Sequence, residues 1–195
     1  MRKINLIFLV VVVLFTSSCK ENDQVGKENN QTKHENNQIK KNVFIVEMNI
    51  TNKEKDVICL YYKDNTISYF NNEMAIYKNI EKNENSQSIV FELPEGFLPN
   101  DFRFDLSHEN EKQSMIVNNI KFNLNGEGFE IKNFELDKFF TPNEGVVFSE
   151  TNRSYSFKRN ADGNYDPFLT TTGQFYPFLE KLVGIGAFQP AANIK

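Results

Sequence analysis

The chain has 195 residues, a formal net charge of −4 at pH 7, and 19 Phe but no Trp. After removal of an N-terminal signal segment, the remaining length corresponds to one domain. A negative charge balance without a Lys/Arg cluster argues against nucleic acid and anionic lipid headgroups as partners, because both attract basic patches.

The start of the chain has the three parts of a secretory signal peptide. Two basic residues come first, an apolar run follows over 4–15, and the small residues 16–18 precede Cys19. A helix that crosses a membrane needs about 20 apolar residues, so this run is too short to span one. A cysteine directly after small residues resembles the lipobox of bacterial lipoproteins. The resemblance implies a signal peptide over 1–18, removed before Cys19, and a membrane partner held through lipid on Cys19.

The residues after Cys19 are polar and predict a linker. Residues 20–23 (Lys-Glu-Asn-Asp) resemble the short charged signal of surface-exposed Bacteroidetes lipoproteins. That resemblance implies an outer-membrane, cell-surface location, although the composition of a solvated linker produces the same letters. Residues 20–42 contain only Val25 and Ile39 as large apolar side chains, which is too little to offset the entropy of ordering. We therefore predict a disordered linker over 19–42.

The composition is different in the remainder of the chain, residues 43–195. Short runs of β-branched and aromatic residues alternate there with clusters of Asn, Asp and Lys. The predicted strands are 43–51, 56–62, 66–70, 74–80, 87–93, 101–106, 114–124, 128–132, 146–150 and 153–158. Asn125-Gly126 is typical of a two-residue hairpin turn. Residues 135–144 predict a single helical turn, and residues 173–184 a short helix. The pattern predicts an all-β, two-sheet antiparallel sandwich with a short C-terminal helix.

The second cysteine, Cys59, lies inside an apolar predicted strand. With Cys19 committed to lipid, it has no partner for an internal disulfide. We therefore expect Cys59 to be buried as a small apolar side chain, and the domain to depend on its core for stability.

Residues 87–122 show a more specific order of elements. A strand, a Leu-Pro-Glu loop, a strand with Arg-x-Asp and a further apolar strand follow one another. This order is similar to jelly-roll, galactose-binding-like domains of bacterial cell-surface lipoproteins and some membrane glycosyltransferases. The matching positions are Leu93, Pro94, Arg103, Asp105, Val117 and Ile120. The resemblance implies a jelly-roll-like sandwich and, by analogy, sugar binding.

Catalytic patterns are sparse in this sequence. His34 falls in the predicted linker and His108 in a polar loop, and neither has the spacing of a zinc ligand. The sequence has no nucleophile-elbow motif around a serine. Asp101, Arg103 and Asp105 alternate along one predicted strand and therefore share a face. We interpret this row as a structural ion pair rather than as the carboxylate pair of a glycosidase. The protein is predicted not to be an enzyme.

One polar loop carries oxygen ligands in the manner of a calcium loop. Its alternating residues are Asn160, Asp162, Asn164 and Asp166, with Gly163 among them. Hard cations bind several such oxygens, so calcium is one interpretation. A tight polar turn accounts for the same residues without a metal, and we prefer it; no cofactor is expected.

Aromatic side chains supply the candidate ligand contacts. Tyr61 and Tyr62 are adjacent on a predicted strand and must face opposite sides, so one of them can be exposed. Together with Arg103 and Asp105 they form the predicted binding residues. The predicted function is a lipid-anchored, non-enzymatic binding protein of the cell envelope, with a glycan as its ligand. The alternatives are an accessory lipoprotein that docks an envelope protein and, third, a glycoside hydrolase with paired carboxylates.

Overall fold

A computed structural model describes residues 42–109, 111 and 113–184. The predicted signal peptide, the lipidated cysteine and residues 20–41 of the predicted linker lie outside the described residues. In chain order the elements are β1 (Phe44–Asn52), β2 (Asp56–Lys63), β3 (Ala75–Ile80), β4 (Asn83–Glu92), β5 (Asp101–Asp105), β6 (Ser114–Leu124), β7 (Glu127–Lys132), α1 (Leu136–Phe139), β8 (Phe140–Pro142), β9 (Val146–Ser149), β10 (Ser154–Phe157), β11 (Phe168–Thr171) and α2 (Tyr176–Val183). In this part of the chain no helix has the length and apolar character needed to span a membrane.

The strands form two antiparallel sheets. Sheet A has the order β4-β1-β6-β10-β9, with β7 also paired to β6, and sheet B has the order β3-β2-β5-β11-β8. All strand pairs in both sheets are antiparallel. The predicted all-β, two-sheet sandwich is confirmed.

The core lies between the two sheets and follows from alternation along the strands. Every second residue of β1 from Phe44 onward is buried, because successive side chains of a strand point to opposite faces. Phe102 on β5 of sheet B meets sheet A, with its ring centroid 5.7 Å from that of Phe44 and 5.6 Å from that of Phe122. Phe104 and Leu106 are also buried. The inner face of β5 is therefore apolar, and Arg103 is left on the outer face of sheet B.

The predicted strand over 66–70 is wrong. This segment is a loop in which the Asp64 side chain accepts hydrogen bonds from Thr66 N at 2.8 Å and Thr66 Oγ1 at 2.6 Å. Such local side-chain bonds to the backbone compete with a strand ladder. Tyr69, which raised the apparent strand propensity, is exposed.

Two short strands were not predicted. The strands β8 (Phe140–Pro142) and β11 (Phe168–Thr171) have three and four residues. They pair with each other, and β11 also pairs with β5. Runs this short carry little periodic signal, and their neighbours in the sheet determine their conformation.

The predicted turns and helices are confirmed. Asn125 and Gly126 have φ values of 56° and 89° and join the paired residues Leu124 and Glu127, which is the left-handed geometry of a type I′ hairpin. The helical turn predicted over 135–144 is α1. The helix predicted over 173–184 is α2, and it ends at Gly184 with φ 69°.

The prediction for Cys59 is also confirmed. Its side chain is buried in β2. Burial raises the pKa of the Cys59 thiol to about 12, so the thiol stays protonated and packs as a small apolar group.

Candidate binding site

The outer face of sheet B gathers polar and aromatic side chains from several segments. In the strand register Arg103 lies beside Tyr61, and Cys59 lies between Tyr77 and Asp105. Phe168 on β11 is the next neighbour of Asp105. Loop residues complete a set that we call the Arg103 cluster: Tyr61, Asn72, Tyr77, Arg103, Asp105, His108, Asp166 and Phe168.

Arg103 is fixed by two carboxylates and two rings. Its Nε donates to Asp105 Oδ1 at 2.7 Å, and its Nη2 donates to Asp105 Oδ2 at 3.0 Å and to Asp166 Oδ1 at 2.5 Å. The guanidinium carbon lies 3.8 Å from the Phe168 ring centroid and 5.3 Å from that of Tyr61. Bidentate pairing and stacking both hold a planar guanidinium in one orientation. These bonds use Nε and Nη2, so the two N–H donors of Nη1 are not engaged in them.

Asp105 is the buried centre of the cluster. Its side chain is only 3% exposed, and its Oδ2 lies 3.7 Å from His108 Nε2. Burial raises the pKa of Asp105, while the hydrogen bonds and charge of Arg103 act in the opposite direction. Burying a carboxylate costs desolvation free energy, which its one cationic partner must offset. Here the Asp105 carboxylate orients Arg103 at the protein surface.

Two tyrosines border the cluster on the side of β3. The hydroxyl groups of Tyr61 and Tyr77 are 2.9 Å apart. Tyr61 Oη donates to Asn72 Oδ1 at 3.0 Å, and the single proton of Tyr77 Oη can go either to Tyr61 Oη or to Asn72 Oδ1 at 3.4 Å. The ring centroid of Tyr77 lies 5.4 Å from that of His108. Burial raises the pKa of Tyr61, so its hydroxyl keeps the proton that it donates. Tyr77 is 48% exposed. Its hydroxyl contacts therefore hold in place a side chain that is half open to solvent.

Comparison with protein-family models, curated proteins and solved structures finds no match for this chain. The resemblance to jelly-roll, galactose-binding-like domains therefore stays a prediction. Function is inferred below from the geometry of the Arg103 cluster.

Three of the four predicted binding residues lie in the cluster, and Tyr62 does not. Tyr61, Arg103 and Asp105 are on the outer face of sheet B. Tyr62 points the other way, is 4% exposed, and packs its ring edge against Phe97 at a centroid distance of 4.9 Å. The alternation of the strand requires this outcome, since adjacent residues cannot share a face.

Tyr62 also lines a separate cleft of about 680 Å³ between the sheets. The other lining residues are Val43, Ile76, Glu92, Leu93, Pro94 and Glu95. Among these described residues there are two carboxylates and no cation, and the rest are mainly apolar. The Arg103 cluster combines fixed donors, acceptors and an exposed ring, so it is the stronger candidate for a polar ligand.

The residues of the predicted calcium loop form a tight turn. Asn160 Oδ1 accepts a hydrogen bond from Asn164 N at 2.8 Å, and Gly163 takes φ 82°. Asp162 is exposed, and Asp166 is paired with Arg103. In the described part of the chain, no group of three or more His, Cys, Asp and Glu side chains is placed to hold a metal. The contacts support the tight polar turn, and Asp166 is better assigned to the Arg103 cluster.

The carboxylates of the predicted Asp-Arg-Asp row have separate partners. Asp101 accepts hydrogen bonds from Phe102 N at 2.9 Å and from Thr171 Oγ1, and lies 3.4 Å from Lys63 Nζ. Asp105 pairs with Arg103. Both acids are therefore bound in ion pairs, as the structural interpretation of the row predicted.

Sequence reasoning missed most of the loop residues in the cluster. His108 follows Asp105 by three residues, but its return towards β3 depends on the loop after β5. Asp166 was predicted as a calcium ligand, because polar residues alternate in its loop, and not as a partner of Arg103. Neither contact with β5 can be derived from spacing along the chain.

Proposed function

We propose that this chain is a lipid-anchored cell-envelope protein that binds glycans through the Arg103 cluster without hydrolysing them. The observation that carries the proposal is the half-exposed ring of Tyr77 on the same face as a guanidinium and a carboxylate that are fixed in place, with Tyr61 in contact with both the ring and the guanidinium. A sugar ring presents one apolar face and a rim of hydroxyl groups. Tyr77 matches the apolar face, and Arg103 and Asp166 match the rim.

Preorganisation of the cluster supports specific binding. Two carboxylates and a stacked ring hold Arg103. The hydroxyl of Tyr77 is held by its contacts with Tyr61 Oη and Asn72 Oδ1. A ligand that meets side chains already held in place loses less affinity to ordering them. A glycan of several sugars can therefore bind by surface contacts without a deep pocket.

The same contacts favour binding over hydrolysis. A glycosidase needs one protonated carboxyl group and one carboxylate free to act as nucleophile or base. Asp105 and Asp166 both bind the guanidinium of Arg103, so neither carboxyl group is free to act as nucleophile or base. His108 Nε2 lies 3.7 Å from Asp105 Oδ2, which is too far for a hydrogen bond.

The pattern of the first 19 residues supports the anchor. A basic start, a short apolar run and small residues before Cys19 fit a lipoprotein signal. Several acyl chains together give lasting attachment, since each buried CH₂ contributes about 0.8 kcal/mol. We propose that the domain lies outside the outer membrane, tethered at the cell surface by the predicted linker over 19–42.

Tyr77→Ala tests the binding face. The substitution removes the exposed ring, and we expect glycan affinity to fall about 10- to 30-fold, as for an aromatic hot spot at an interface. A glycan-array screen of the mature chain with Cys19→Ser identifies the ligand, and calorimetric titration of that ligand measures the loss.

The matched control is Tyr69→Ala, which removes an equally large exposed ring outside the cluster. It should leave affinity unchanged. Equal loss in the two variants, or an unaltered Tyr77→Ala, would show that the glycan binds elsewhere.

Cys19→Ser tests the anchor. It should abolish labelling by a radioactive fatty acid and release the chain from the membrane fraction, because the thiol is the acceptor for the lipid. Fractionation with a carbonate wash measures the release. A variant that stays with the membranes after the wash contradicts the lipoprotein proposal, and Cys59→Ser serves as the control that should remain attached.

A further inference from the structure

We infer that Asp166 makes the Arg103 cluster selective for neutral glycans and against anionic ones. This inference rests on the proposed function of the cluster and adds the chemical class of its ligand. It assigns to Asp166 the role of a specificity residue, which the turn around Gly163 does not require.

The balance of charge in the cluster is the first argument. The Arg103 side chain, 22% exposed, pairs its one guanidinium with the buried carboxylate of Asp105 and with that of Asp166, whose side chain is 47% exposed. When Arg103 and both acids are charged, the group carries one net negative charge. Arg103 attracts an anionic sugar that approaches its Nη1 atom, but the two carboxylates repel the same sugar. Because one of these carboxylates lies at the surface, the net electrostatic attraction is small or absent.

The second argument is the pairing of donors and acceptors. Nη1 of Arg103 offers N–H donors, and Asp166 has one oxygen that is not in the 2.5 Å bond to Arg103. A hydroxyl group both donates and accepts, so neighbouring sugar hydroxyls satisfy the two groups together. A carboxylate or sulfate group can only accept hydrogen bonds. It has no proton to donate to the Asp166 oxygen, so two acceptors would face each other. An ammonium group only donates and would leave the guanidinium donors unpaired.

The position of Asp166 is fixed by its backbone as well as by Arg103. Asn143 Nδ2 donates to Asp166 O at 2.7 Å. The next residue, Pro167, accepts a hydrogen bond from Leu106 N at 3.0 Å. The backbone of residues 166–167 is thus hydrogen-bonded to the end of β5 and to the loop after β8. These bonds keep the Asp166 carboxylate beside the guanidinium.

Asp166→Asn tests the inference, because it removes one charge with little change in shape. Asp162→Asn is the matched control, since Asp162 is an exposed acid of the same loop that makes no contact with Arg103. Each variant, in the mature chain with Cys19→Ser, is run in native gels containing galactomannan, xyloglucan, polygalacturonate or heparin. Retardation relative to a gel without polysaccharide gives the affinity.

We expect at least one neutral polysaccharide, and neither anionic one, to retard the wild-type chain. Asp166→Asn should bind that neutral polymer about tenfold more weakly, because a charge-assisted hydrogen bond is lost, and should begin to bind an anionic polymer. Asp162→Asn should behave as the wild type.

Retardation of the wild type by polygalacturonate or heparin alone would overturn the inference but leave glycan binding intact. An Asp166→Asn variant that matches Asp162→Asn in every gel would also overturn it. Failure of every polysaccharide here and of every glycan on the array, with a folded protein, would overturn the proposed function itself.

Discussion

Phe104→Ala is expected to lower the free energy of unfolding by about 3–5 kcal/mol, which is the range for a large buried aromatic truncated to alanine. The Phe104 ring is buried on the inner face of β5. Its centroid lies 5.4 Å from that of Phe140 and 6.5 Å from that of Phe122, which belongs to the opposite sheet. The substitution leaves a cavity that rigid strands on both sides cannot close. Equilibrium urea unfolding measures the change.

Phe134→Ala is the matched control, because it makes the same truncation at a side chain that is 60% exposed. Its effect should stay within about 0.5 kcal/mol. A tolerant Phe104→Ala would mean that the inward and outward faces of β5 are reversed, and the binding face of sheet B would have to be assigned again.

Arg103→Ala is expected to cost about 3–5 kcal/mol, although Arg103 lies on the outer face of the sheet. The cost comes from Asp105, which is 3% exposed and loses its bidentate partner. A buried charge without compensation destabilises a protein by about this amount. Urea unfolding of this variant also tests whether the cluster is held together by the ion pair.

The double variant Arg103→Ala/Asp105→Asn separates charge from packing. It should recover most of the lost stability, because no buried charge remains unpaired. Arg159→Ala removes a surface arginine whose side chain is 56% exposed and pairs with Glu111, and it should cost less than about 1 kcal/mol.

The pH dependence of Arg103→Ala provides a further check. Burial already raises the pKa of Asp105 above its ordinary value, and loss of the guanidinium raises it more. A carboxyl whose pKa is higher in the folded state favours folding at low pH, and that contribution disappears as pH rises through the folded pKa. The deficit of Arg103→Ala should therefore shrink as pH falls. A variant as stable as the wild type that no longer binds glycan would show that Arg103 serves the ligand alone.

Local patterns failed where short segments depend on their neighbours. Over 66–70 the aromatic and β-branched residues predicted a strand, but the Asp64 side chain bonds to Thr66 and closes a turn. The opposite failure occurs at β8 and β11, where few residues signal a strand, but β11 pairs with β5 and β8 pairs with β11. At β8 and β11 the decisive bonds join segments that are distant along the chain, whereas at 66–70 a local side-chain bond outweighs the β-propensity of the residues.

The sequence by itself determined the sandwich and the faces of its strands. A period of two places Phe102 and Phe104 inward and Arg103 outward, and Asn125-Gly126 supplies the positive φ values that a tight hairpin needs. Only the tertiary structure decided which groups meet Arg103. Asp166 is 63 residues further along the chain, and its contact depends on β11 lying beside β5. Burial of Asp105, which determines how strongly Arg103 is needed, likewise arises only when the sheet and its loops close around it.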